Sequence, residues 1–156
     1  MSAIVDGAGH TEPYQNIDKA LTVLLERGDA TYRCTQSEIA TVASQVDRRL
    51  PESYTYFLKV MGRGAGSLWR GTHVFFPTML GLTEIGRELV SEDANNLHFG
   101  ENTFVFAMHQ GYSFMFFCLD ESDDPAVWYY LEQSGTYSRQ SQSFSKYVLE
   151  CALAVG

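Results

Sequence analysis

The chain has 156 residues, 45% of them hydrophobic and 19% charged, with a formal net charge of -8 and a pI near 4.8. That length and composition fit a single globular domain, able to bury roughly 70% of its unfolded surface without disulfides or metals. The acidic balance argues against direct nucleic-acid binding, which needs Lys and Arg to displace phosphate counterions, and the longest wholly apolar run, Phe114 to Leu119, cannot span a bilayer.

Residues 1–16 carry Asp6 and Glu12, no Lys or Arg and no apolar core. They do not read as a secretory signal, so the expected compartment is the cytoplasm, with this segment poorly ordered or extended. Asn16 is then placed to cap a helix whose Ile17, Ala20, Leu21, Leu24 and Leu25 share one face and which stops at Gly28. Thr35, with Glu38 three residues on, predicts a capping box opening a second helix with Ile39, Val42, Ala43 and Val46 on one side. Leu50-Pro51 opens a third, with Tyr54, Phe57, Leu58 and Met61 inward and Gly62 as terminator.

After a glycine-rich loop from Gly62 to Gly66, residues 68–70 and 73–76 read as strands separated by Gly71 and closed by Pro77. A helix is expected from Thr83 to about Val90. Two apolar runs, 103–109 and 112–119, then meet at Gln110-Gly111. This is a hairpin signal, and because neither face of either arm is polar, both faces need cover, for which helices are expected. Residues 126–132 predict a third strand, Ser134-Gly135 a turn and Tyr137 a short fourth strand, giving an antiparallel meander. Phe144, Tyr147, Val148, Cys151 and Ala152 fall at helical spacing after Ser143. The predicted class is α+β: one domain over residues 1–156, its sheet flanked by helices.

The chemistry-bearing patterns are sparse. Gly62-Arg-Gly-Ala-Gly66 lacks the Lys-Ser/Thr of a phosphate loop and follows a helix rather than a strand. His10, His73, His98 and His109 are dispersed, and Cys34, Cys118 and Cys151 form no Cys-x-x-Cys pair, so neither a metal site nor a disulfide framework is expected. Glu84 and Glu88 share a helical face that reads as solvated surface, and no serine sits in a Gly-x-Ser-x-Gly elbow. No enzyme and no cofactor is expected. The acidic run Asp120-Glu-Ser-Asp-Asp124 is the feature a basic partner would meet, although a hydrated loop accounts for the same composition.

Leu50-Pro-Glu-Ser-Tyr-Thr-Tyr-Phe-Leu58, Gly62, Phe104-Val-Phe106, His109-Gln-Gly-Tyr112, Phe114 to Phe117, Asp124-Pro-Ala-Val-Trp128 and Ser143-Phe-Ser-Lys-Tyr-Val148 together resemble the SUKH superfamily. Its members include bacterial immunity proteins and fungal cell-wall-assembly regulators of the Smi/Knr type. Met61-Gly62-Arg63-Gly64 departs from the family's usual Asn-Gly-Gly. The resemblance implies a helix-flanked antiparallel sheet and a binding role without catalysis. The expected function is an immunity protein that occludes a cognate toxin with a basic surface, a nuclease being the preferred target; the alternative is an interaction or scaffold module in signalling or cell-envelope regulation. The expected contact residues are Asp120, Glu121, Asp123, Asp124 and the solvent-facing edges of Trp128 and Tyr130, and a homodimer is left open.

Overall fold

The computed structural model describes residues 2–155, with side chains from Pro13 onward. Among them are five helices and two antiparallel sheets, in the order α1 (Ser2–Glu26), β1 (Thr31–Tyr32), α2 (Gln36–Ala43), α3 (Glu52–Met61), β2 (Gly64–Ala65), α4 (Leu82–Ser91), β3 (Thr103–His109), β4 (Ser113–Cys118), β5 (Val127–Leu131), β6 (Tyr137–Ser141) and α5 (Phe144–Ala154). β1 pairs with β2, and β3 to β6 form the expected meander in sequence order.

The central hairpin is β3 and β4. Gln110 and Gly111 both take positive φ, 52° and 80°, the backbone that keeps a tight turn in step with the twist of its strands. A bulge between Val105 and Ala107 leaves Phe106 without a partner across the ladder. Both faces are covered by helices. On one, Phe117 lies 5.2 Å from Phe104, 5.3 Å from Tyr54 of α3 and 5.7 Å from Phe144 of α5, ring centroid to centroid. On the other, α4 approaches so closely that a Cβ on Gly86 would stand 2.9 Å from Val105 Cγ2 and 3.3 Å from the Phe114 ring. A side chain there would push the helix off the sheet.

α1 packs outside α3 and α5 and runs in the same direction as α5. Asn16 Nδ2 donates to Ser145 Oγ near the start of α5, and Arg27 Nη2 to the Ala152 carbonyl near its end. Ile17, Ala20 and Leu24 are fully buried, whereas Leu25 is 52% exposed. The helix begins at Ser2 rather than at Asn16, so the backbone is helical where an extended start is expected; the side chains of residues 1–12 lie outside the described residues. The capping box of α2 forms as read: Thr35 Oγ1 accepts from Glu38 N at 3.1 Å, and Thr35 N donates to Glu38 Oε1 at 2.8 Å.

Residues 68–76 depart from expectation. They form turns, because Trp69 and Gly71 adopt φ of 54° and 84°, which breaks an extended run. Only His73 reaches the sheet, in an isolated bridge with Met108. Trp69 and Phe75 instead pack on Phe57 from the side, at 5.7 and 6.1 Å. Among the described residues no helix is long and apolar enough to cross a membrane.

Candidate partner-binding site

The acidic loop leaves β4 after Cys118 and returns to the sheet at Val127. Its path is fixed by two helix first turns, whose N–H groups have no partner inside the helix. The Asp123 carbonyl accepts from Ser53 N in α3 at 3.0 Å. The Asp124 carboxylate accepts from α5 with both oxygens, Oδ1 from Ser145 N at 2.8 Å and Oδ2 from Ser145 Oγ at 2.6 Å. A negative loop placed where two helix N-termini converge is electrostatically favoured, since each terminus carries partial positive charge. Glu121 Oε2 closes the loop on itself by accepting from Ala126 N at 3.0 Å.

The outward side chains meet two arginines. Arg48 Nη1 donates to Asp120 Oδ2 at 2.9 Å and Arg49 Nη2 to Asp123 Oδ1 at 2.7 Å. The Asp120 and Asp123 side chains remain 60% and 54% exposed, so these are surface pairs of the kind worth about 0–1 kcal/mol and exchangeable with an incoming cation. Between them lies a surface pocket of about 300 Å³ lined by Leu50, Pro51 and Leu119 together with Asp120, Asp123 and Arg49. Tyr14 of α1 joins the same corner by donating to Glu52 Oε2 at 3.2 Å; burial, and then the Glu52 and Asp123 charges, raise its phenol above the ordinary range. Burial followed by Glu121 and Asp120 likewise raises the Cys118 thiol, so the one cysteine beside the loop is held as the unreactive thiol.

Of the six expected contact residues, the structure brings Asp120, Glu121 and Asp123 to one exposed corner. Asp124 turns inward as a cap for α5. Trp128 lies half-buried on the sheet face that also carries Phe116, opposite Phe116 and Arg139. Tyr130 is a correction: it is fully buried, so it presents no edge to solvent. It stands opposite Phe114 and Tyr137, under the segment that follows α4, where its hydroxyl donates to Asp93 Oδ2 at 2.5 Å.

Asp93 is an equally buried carboxylate, 4% exposed. It also accepts from Asn95 N at 2.8 Å, Asn95 Nδ2 at 2.9 Å and Gly135 N at 3.0 Å. The Tyr130 hydrogen bond, with those to Asn95 and Gly135, lowers it to about 2, and burial followed by the Asp93 bond raises Tyr130 to about 12. This pair ties the α4 exit to the β5–β6 turn and is structural.

Arg48, Arg49, Ser145 and Asn16 are the participants that sequence reading misses. The arginines stand 72 and 74 positions from their partners, with no local pattern to link them. Asn16 carried a signal, but for a helix cap. Of the other titratable residues singled out, His109 Nδ1 sits 3.2 Å from Thr72 Oγ1 at a strand end, and Glu84 pairs with Arg87 on the surface of α4. Among the described residues no group of three or more His, Cys, Asp or Glu could hold a metal ion.

The comparisons agree with this architecture. No curated protein matches the chain. The model of the SMI1 / KNR4 family (SUKH-1) matches residues 33–150, a span that runs from just before the α2 capping box through the hairpin, the acidic loop and most of α5. The chain therefore belongs to the SMI1 / KNR4 family (SUKH-1).

Proposed function

We propose that this protein is a non-enzymatic binding protein of the cytoplasm, an immunity protein that neutralises a cognate toxin by occluding its basic working surface. Family membership supports a binding role. The observation that carries the reading to a surface is the grouping of Asp120, Glu121 and Asp123 on one exposed corner of an acidic chain. Such a corner accelerates encounter with a cationic partner and rejects acidic ones. A nuclease fits as the target, because the surface with which it binds phosphates is basic. Arg48 and Arg49 pair with Asp120 and Asp123 until the partner's Lys or Arg side chains compete for them.

The test is co-expression with the product of a toxin gene adjacent to this one, followed by co-purification and inhibition of the toxin. Stable complex formation with protection of the host is expected; absence of binding to any adjacent toxin overturns the reading. A second reading, an interaction module in signalling or cell-envelope regulation, draws support from Leu25 and Leu153, which leave 52% and 60% of their surface to solvent on the neighbouring helices α1 and α5. Capture of a regulatory enzyme or envelope component, with no toxin bound, would favour it.

A further inference from the structure

We propose that Asp124, Ser145 and Asn16 form a clasp that positions the acidic loop, Asp124 serving as a positioning residue and not as a partner contact. The inference rests on the acidic-corner reading for its consequence in binding, but its geometry stands apart from any partner.

Of the first-turn N–H groups of α5, which have no partner within the helix, two find side-chain acceptors. Its own cap, Ser143 Oγ, takes Lys146 N at 3.2 Å. Ser145 N is left to Asp124, which lies 21 residues earlier in the chain. Both carboxylate oxygens are engaged by Ser145, which is fully buried, and Ser145 Oγ in turn accepts from Asn16 Nδ2 at 3.0 Å. One carboxylate thus ties the loop to α5 and, through a single hydroxyl, to α1. The preceding residue binds α3 through its carbonyl. Two consecutive loop residues therefore end on two helices, and the outward direction of Asp120, Glu121 and Asp123 is set by that double attachment. The arginine pairs of Asp120 and Asp123 lie at the surface, where such a pair contributes only about 0–1 kcal/mol, so they add little to what holds the loop. An uncharged amide at 124 keeps the shape but loses the charge that faces the α5 terminus.

The experiment is hydrogen exchange of the backbone amides of residues 119–126 in the free full-length protein, alongside association and dissociation rates for a short oligoarginine peptide. Asp124→Asn and Ser145→Ala are expected to speed loop exchange by about tenfold while the β3 and β4 amides keep wild-type protection. Ser145→Thr, which retains the hydroxyl, restores slow exchange. With the peptide, Asp124→Asn is expected to raise the dissociation rate several-fold and leave the association rate within about twofold, whereas Asp123→Asn lowers the association rate. Unchanged loop exchange in both Asp124→Asn and Ser145→Ala overturns the clasp. So does an Asp124→Asn protein that loses association rate as Asp123→Asn does, for Asp124 is then a contact. If the peptide fails to bind the wild-type protein, the acidic-corner reading falls and exchange alone decides the clasp.

Discussion

Replacing Phe117 by Ala tests whether the central hairpin is scaffold. Its side chain is fully buried and its ring packs against Tyr54, Phe104, Phe106 and Phe144 at centroid distances of 5.2 to 5.7 Å, so β4, β3, α3 and α5 all lose a neighbour at once. A buried aromatic side chain removes roughly 150–250 Å² from water, worth on the order of 4–6 kcal/mol at 25 cal/mol per Å². Ala retains a small part of that, and the rigid rings around the site cannot collapse to refill it. The expected loss is about 3–5 kcal/mol, which lowers Tm by roughly 10 °C in a domain of this size. Urea unfolding followed by tryptophan fluorescence measures it, with Phe117→Leu expected to recover more than half. A Phe117→Ala loss below about 1.5 kcal/mol, or partner binding that falls per folded molecule, would refute the assignment of this hairpin to the core.

Thr35→Ala removes one half of a capping box on an exposed helix, and a loss of about 1 kcal/mol in urea unfolding is expected; no change would mean that α2 is held by packing alone. Gly86→Ala gains helix propensity but drives a methyl against Val105 and Phe114, so a net loss of about 1 kcal/mol is expected, and a stabilised variant would show that α4 can lift from the sheet. Tyr130→Phe deletes the hydrogen bond that does most to hold Asp93 at about 2. A carboxyl depressed in this way adds stability above its ordinary value near 3.8 that is lost as the pH falls towards 2. Tyr130→Phe should therefore unfold at lower urea at neutral pH and show a smaller further loss between about pH 4 and pH 2; an acid limb as steep as that of the wild type contradicts the pairing.

The hairpin was legible because its signal is local. Near-continuous apolar runs on two arms and Gln110-Gly111 between them specify strands, turn and double-sided burial together, and the Thr35–Glu38 box fixes a helix start for the same reason. Residues 68–76 have the aromatic, β-rich composition of a strand, while the left-handed backbone at Trp69 and Gly71 and the packing of Trp69 on Phe57 are tertiary choices that composition does not carry. The burial of Tyr130 is not legible because period-2 alternation says which residues share a face but not what covers it, and the cover comes from the segment after α4. The acidic loop was visible as charge, and its sorting was not. Ser53 and Ser145, which decide that Asp124 turns inward and Asp120 and Asp123 outward, sit in helices far away in the chain.

That sorting sharpens the measurement that bears on the central claim. Asp120 and Asp123 are reversed together to Lys, with Glu121 left to accept from Ala126 N and Asp124 left to cap α5, and association with the co-expressed toxin is followed across a range of ionic strength. The acidic-corner account predicts an association rate at least about tenfold slower at low salt and a flattened salt dependence, in a variant that unfolds within about 1 kcal/mol of the wild type. An unchanged rate and salt slope would contradict it and return the loop to the role of a hydrated cap over two helix termini.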